Sequence, residues 1–215
     1  MEHEQELREF TISSVKDLGL TIAEAHAGQF VRYLAHLLEW NKAINLTAII
    51  DPKEIIIKHF VDSLVGLVAT SFPQNSMVVD VGSGGGFPGI PLKIVRSDIR
   101  LTLVEPTQKK CSFLNSVIGL LKLQDVSIFC GTIDQYAKEP HSYGIDVVVV
   151  RALKYEGIRK HLPALLTSKG KIVLYRSESI KNQEIGEEFY LVSETDFVLP
   201  EGSGKRVVTV IERDN

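Results

Sequence analysis

Disulfide and metal scaffolds are the first classes that this chain's scarcities exclude. Its 215 residues hold two cysteines, Cys111 in Lys-Lys-Cys-Ser and Cys130 in Phe-Cys-Gly. They form no CxxC pair, and the contexts are unrelated, so both are expected to be buried small side chains. A chain of this length buries about 70% of the surface its unfolded state exposes, so it needs no disulfide or metal staple. No apolar run approaches the ~18 residues of a membrane span. The first nine residues are acidic and polar, unlike a secretory leader. The expected compartment is the cytoplasm, with no membrane partner. Internal repeats and low-complexity tracts are missing too.

Positive charge is also in short supply overall, since the formal net charge is −3. Its distribution is uneven. Residues 151–181 carry eight bases (Arg151, Lys154, Arg159, Lys160, Lys169, Lys171, Arg176 and Lys181) against Glu156 and Glu178. A polyanion responds to the local field and not to the sum. The stretch reads either as a solvated face or as an RNA contact.

What is present is a change of pattern. Residues 1–70 read as a helical extension. Thr21-Ile-Ala-Glu24 has capping-box spacing, Phe30, Leu34, Leu37 and Leu38 recur at helical spacing, and Pro52 opens a second helix through about residue 68. From residue 71 on, apolar runs at 77–81, 101–104, 126–129, 145–150 and 171–175 alternate with amphipathic segments, among them 108–121 and 155–166. Short apolar runs between helices are parallel strands buried on both faces. Residues 189–199 and 205–211 flank a turn too short for a crossover helix, so they form an antiparallel hairpin. The expected fold is α/β and Rossmann-like, with a mostly parallel seven-stranded sheet in residues 71–215.

The chemistry begins at Asp80-Val-Gly82-Ser-Gly84-Gly-Gly86-Phe87-Pro-Gly89. A strand runs into a glycine turn that lets a ligand approach the backbone, and a helix follows. Gly84-x-Gly86-x-x-Gly89 matches the dinucleotide fingerprint weakly. Asp80, just before the first glycine, would repel a pyrophosphate but suits the cationic amino group of S-adenosylmethionine. Glu105 ends the second strand, where an acid binds ribose hydroxyls of either cofactor. Asp134 follows the third strand, at the expected adenine end. No Asn/Asp-Pro-Pro-aromatic box for amine methylation follows the fourth strand, which ends Val150-Arg-Ala-Leu153, and neither cysteine fits a pyrimidine-carbon nucleophile. An acceptor that is already nucleophilic, such as guanine N7, is compatible with these absences.

Asn45-Leu-Thr47, Lys58-His-Phe-Val-Asp-Ser63, the loop from Asp80 to Pro91, Lys109-Lys110 with Phe113-Leu114, and Arg151-Ala152 together closely resemble the bacterial small-subunit rRNA guanine-N7 methyltransferase family, GidB or RsmG, over nearly the whole chain. The resemblance implies a class I methyltransferase with S-adenosylmethionine as cofactor, a guanine of 16S rRNA as acceptor (naked or in the small ribosomal subunit), and a monomer. It implies no metal. It places cofactor contacts on Gly82, Phe87, Glu105, Ile133, Asp134 and Arg151, beside Asp80 and Gly84 of the loop. Departures are Glu105-Pro106 for Asp-Ser, Arg176-Ser177 for Lys-Gly, and Gly85 for Ala or Pro. A non-catalytic RNA-binding module and an NAD-dependent oxidoreductase are the rival readings.

No general acid or base is assigned. Lys58 and Asp62, four apart, read from spacing alone as an exposed ion pair. The resemblance instead places Lys58, His59 and Asp62 at the mouth of the cofactor cleft, to position substrate. Arg151 is expected to position too, through the cofactor or a phosphate, because a guanidinium cannot act as a base near pH 7. Tyr33 and Trp40 lie on a helical stripe and read as core.

Overall fold

The computed structural model describes residues 2–214. Every apolar run is a strand: β1 (Met77–Val81), β2 (Arg100–Val104), β3 (Val126–Phe129), β4 (Ile145–Arg151), β5 (Leu166–Arg176), β6 (Phe189–Val198) and β7 (Lys205–Arg213). They form one seven-stranded sheet in the order β3-β2-β1-β4-β5-β7-β6. The first five strands are mutually parallel, and β7 runs antiparallel between β5 and β6. The hairpin therefore folds back so that the last strand, and not the one before it, enters the sheet beside β5.

The helices preceding the sheet are α1 (Glu2–Asp17), α2 (Glu24–Ile44), α3 (Pro52–Ile55), a π-helical turn (Ile56–Val61) and α4 (Asp62–Ala69). Between strands lie α5 (Gly89–Val95), α6 (Gln108–Leu121), α7 (Ile133–Tyr136), α8 (Tyr155–Arg159), α9 (Leu162–Leu165) and α10 (Asn182–Ile185). Side chains of β4 alternate between two cores. Val147 and Val149 pack with Phe30, Tyr33, Leu37 and Phe60 of the N-terminal helices. Val148 and Val150 pack with Tyr155, Ile158, Leu162 and Ile185. Burial on both faces is why the strand reads as an unbroken apolar run. Tyr175 Oη donates to Ser63 O at 2.7 Å and fastens α4 to β5. Among the described residues no helix is long and apolar enough to cross a membrane.

Several local expectations need correction. Helix α2 is capped by Ala23, whose N–H lies 3.4 Å from His26 Nδ1, so Thr21 is not the cap. Asp51 does cap α3, its Oδ1 accepting from Glu54 N–H at 2.9 Å. The segment 155–166 is two short helices, because Pro163 has no N–H to continue the first and opens the second. The long second helix is interrupted by the π turn. Cys111 and Cys130 are not unrelated. They are joined as a disulfide with Cα atoms 6.0 Å apart, and Cys130 is exposed. The crossover from β2 through α6 to β3 brings the first turn of α6 over the end of β3, which composition cannot reveal.

Candidate active site

From β1 the chain moves to β2 and β3 on one side, then returns to β4 on the other. The carboxyl ends of β1 and β4 therefore part, and open α/β sheets bind ligands in that crevice. The glycine turn lies there. Gly82, Gly84 and Gly86 take φ of +75°, +56° and +89°, where other side chains are strained. A Cβ on Gly82 would overlap Leu153, and one on Gly86 would meet Tyr33 Oη. Hydrogen bonds hold the turn open: Gly82 N–H to Val104 O at 2.8 Å, Gly84 N–H to Glu105 Oε2 at 2.8 Å, and Tyr33 Oη to Gly85 O.

Above the turn is a cleft of about 470 Å³. Gly82, Gly84, Glu105, Ile133 and Arg151, five of the eight candidate cofactor residues, line it. Glu105 is almost fully buried, with Oε1 accepting from Thr107 N–H at 2.9 Å and each oxygen keeping a free lone pair. The other three candidates do not line this cleft. Asp80 is fully buried beneath the turn, where Oδ2 accepts from Gly89 N–H at 2.8 Å and Oδ1 has no partner among the described residues. Burial pushes its carboxyl up to about 7, against the opposing pull of the Gly89 N–H and Arg151. Phe87 is buried in a stack, its ring 4.7 Å from His59 and 5.6 Å from Tyr33. Asp134 is on the outside, 2.8 Å from His161 Nε2 and 3.4 Å from Lys160 Nζ.

The positioning candidates separate in the same way. Lys58 pairs with Glu54 at 2.7 Å on the surface, not with Asp62. Asp62 points inward with no exposure and takes two arginines. Arg206 Nε and Nη2 donate to its two oxygens at 2.6 and 2.8 Å, and Arg151 Nη1 lies 3.0 Å from Oδ2. Lys58 thus keeps an i,i+4 pair, but with the carboxylate one turn before it, while Asp62 faces inward to the arginines. Arg151 Nη2 donates to His59 Nδ1 at 2.7 Å, and His59 Nε2 meets Thr47 Oγ1 at 2.7 Å. Arginine can only donate, so Nδ1 accepts and the single ring proton sits on Nε2. Burial, reinforced by the Arg151 charge, lowers the His59 imidazole to about 4. His59 is a neutral brace, and Arg151 is the side chain that carries the chain of contacts to the cleft.

Arg151, Ala152 and Leu153 also line a second, adjoining cleft of about 860 Å³, with Arg176, Glu184 and Arg206 among its walls. The basic stretch 151–181 is not one solvated face. Lys160 pairs with Asp134, Lys171 with Glu212 and Arg176 with Glu184, while Arg159 donates to Glu184 O. Lys154, Lys169 and Lys181 are exposed and keep their charge free among the described residues. Tyr33 is core, as its stripe implied, and Trp40 is partly buried against the same cluster. Two participants escaped the sequence reading. Thr47 stood only as part of a motif. Arg206 carried no signal, because its role depends on β7 lying next to β5.

The family model described as GidB, rRNA small subunit methyltransferase G, matches residues 26–200. "Ribosomal RNA small subunit methyltransferase G" of Clostridium botulinum (strain Loch Maree / Type A3) is 36% identical over 203 residues, covering 94% of this chain and 82% of that protein. The protein of the same name from Staphylococcus aureus (strain Newman) is 32% identical, covering 95% of this chain and 89% of its own. Among solved structures, TrmN from Thermus thermophilus superposes with a TM-score of 0.60 at 13% identity, over 72% of this chain and 48% of that one. TrmK from M. capricolum, in complex with S-adenosyl-homocysteine, does so with a TM-score of 0.56 at 13% identity, over 70% and 68%. At those identities the structures speak for the fold alone. The family model matches most of the chain and the curated relatives nearly all of it, and this chain therefore belongs to the GidB family, the rRNA small subunit methyltransferases G.

Proposed function

We propose that this enzyme transfers a methyl group from S-adenosylmethionine to N7 of one guanine in 16S rRNA. The observation that carries this reading is the meeting of the two clefts at Arg151, Ala152 and Leu153. The polar groups gathered there suit alignment and not proton removal. Arg151 only donates, and His59 is neutral with both ring nitrogens engaged. The cofactor, when bound, supplies a sulfonium methyl. Guanine N7 carries no proton, so its attack needs orientation and a shaped pocket more than a base.

In this reading Gly82 and Gly84 admit the ligand to the backbone, and the free lone pairs of Glu105 accept from the ribose hydroxyls. Ile133 forms an apolar wall for the adenine. Asp80 supplies negative charge beneath the turn for the ligand's amino group, without lining the cleft itself. Asp62 and His59 act through Arg151, which positions. Lys58, Phe87 and Asp134 take no direct part. The enzyme is taken to act as a monomer in the cytoplasm, on naked rRNA or the small subunit. The glycine turn is intact, and Asp80 opposes a pyrophosphate, so a non-catalytic module and an NAD-dependent oxidoreductase are less well supported. The test is to map N7-methylguanine in 16S rRNA from cells with and without the protein. Identical maps would refute the assignment.

Two measurements probe the site's charges. The Asp80 carboxyl is raised to about 7 in the ligand-free fold. The fold thus binds this proton more tightly than the unfolded chain, and the stability so gained is lost as pH rises from about 4 through 7. The cationic ligand needs the anionic form, so cofactor affinity is expected to rise over the upper part of that window and then level off. Asp80→Asn should flatten both trends in calorimetry and thermal melts. Single-turnover transfer at saturating cofactor should stay flat from about pH 6.5 to 9. A rate limb near pH 7 that disappears in His59→Ala would show that the histidine moves a proton.

Salt dependence tests the RNA face. Replacing Lys154 and Lys181 by alanine is expected to reduce the slope of log affinity against log salt by about 0.7 to 0.9 for each phosphate no longer neutralised. Lys160→Ala, whose charge is already paired with Asp134, should leave the slope nearly unchanged. Equal slopes in both variants would mean that the free lysines do not meet RNA.

A further inference from the structure

The second cleft must distinguish guanine from the other bases, and it contains a carboxylate placed to do so. A guanine that presents N7 to the cofactor side turns its opposite edge, N1–H and the N2 amino group, to the far wall. That edge offers two donors side by side, and a carboxylate offers two acceptors. Adenine has an acceptor at N1 and no amino group at C2, so the same carboxylate would repel it.

Three carboxylates line this cleft: Glu156, Glu178 and Glu184. Glu156 and Glu178 are exposed, whereas the Glu184 side chain is only 19% exposed. Glu184 is also held from several sides. Arg176 Nη2 donates to its Oε2 at 3.1 Å. Arg159 Nη1 donates to its backbone carbonyl at 2.8 Å, and Tyr155 Oη donates to the next carbonyl, Ile185 O, at 3.1 Å. Its Oε1 has no hydrogen-bond partner among the described residues. The fully buried Asp62 is not an alternative reader, since both its oxygens are held by Arg206.

We propose that Glu184 reads the target base, its two carboxylate oxygens accepting from guanine N1–H and N2–H while Arg176 holds the group in place. This rests on the guanine-N7 reading above. Specificity from a fixed acceptor pair is strong, because a base lacking a donor leaves a desolvated oxygen unpaired.

The test uses small subunits reconstituted with 16S rRNA carrying guanosine, inosine or 7-deazaguanosine at the methylated position. Inosine keeps N7, O6 and N1–H but lacks the N2 amino group. The wild-type enzyme is expected to favour guanosine over inosine by about tenfold or more in kcat/KM, the effect of one hydrogen bond to a charged acceptor. Glu184→Gln should bring that ratio close to one with cofactor affinity unchanged. Glu184→Asp should retain a preference at a lower rate. Equal use of guanosine and inosine by the wild type overturns the proposal without any variant. So does a Glu184→Gln enzyme that is slower on both substrates with the ratio unaltered, because that is a structural effect. The 7-deazaguanosine arm is separate: methylation there would refute N7 as acceptor and leave the Glu184 ratio to stand or fall by itself.

Discussion

Asp62→Asn is expected to lower the unfolding free energy by about 3 kcal/mol or more and to reduce methyl transfer with it. The substitution keeps the shape of the side chain but leaves Arg151 and Arg206 without the carboxylate that lies between them. Removing one member of a buried ion pair strands a desolvated charge, and such losses run to about 3–5 kcal/mol. Here a single carboxylate answers two guanidinium groups, and burial already lowers the Arg151 guanidinium from its ordinary value while Asp62 opposes that shift. The control is Glu54→Gln, which breaks the exposed pair with Lys58. A surface pair contributes about 0–1 kcal/mol, so this variant should unfold almost as the parent does. Urea denaturation of both proteins decides the matter. If their midpoints shift alike, the inward network carries no more stability than the surface pair, and Arg151 is held by packing alone.

Gly82→Val should weaken cofactor binding about a hundredfold or more in a protein that still folds. Gly82 sits at φ +75°, which a β-branched residue rarely adopts, and a strained backbone of this kind costs of order 1–3 kcal/mol. Its new side chain would also collide with Leu153, whose Cγ lies 2.9 Å from the position a Cβ would take. Both residues line the cleft proposed for the cofactor, so relief by moving Leu153 would fill the space the ligand needs. Affinity is expected to fall about a hundredfold or more, equivalent to about 2.7 kcal/mol. Calorimetric titration with S-adenosylhomocysteine measures it, alongside a melt to confirm folding. Gly82→Ala combined with Leu153→Ala should recover part of the loss, since the overlap is removed while the strain remains. Undiminished affinity in Gly82→Val would place the cofactor elsewhere.

The residues that line the cleft above the glycine turn were legible because their places belong to local backbone. A strand, a glycine turn and an acid at the next strand's end occupy fixed places in this topology. Gly82, Gly84, Glu105, Ile133 and Arg151 accordingly converge on one cleft. Asp80, Phe87 and Asp134 were named from their positions, and none of them lines that cleft. Whether a side chain faces the ligand or the interior depends on rotamer and neighbours, and each of these three finds partners outside the cleft: Gly89, His59 and His161. Lys58 and Asp62 show the same limit at helical spacing. Spacing allows Lys58 an i,i+4 partner on either side, and only the fold decides that it takes Glu54 while Asp62 turns to Arg151 and Arg206.

By itself the sequence determined the strands, the helical cover at the N-terminus, the antiparallel hairpin, the glycine turn and the family, because these rest on periodicity, turn chemistry and motifs of consecutive residues. Only the tertiary structure decided that β7 lies between β5 and β6, and with it that Arg206, 144 residues from Asp62, completes the buried network. It likewise decided that Cys111 meets Cys130, and that most of the basic stretch is spent on internal carboxylates and carbonyls. The physical reason is common to all of these. A charge or thiol has no periodicity that marks its partner, and the partner is chosen by which chain segments the sheet order brings within a few ångströms.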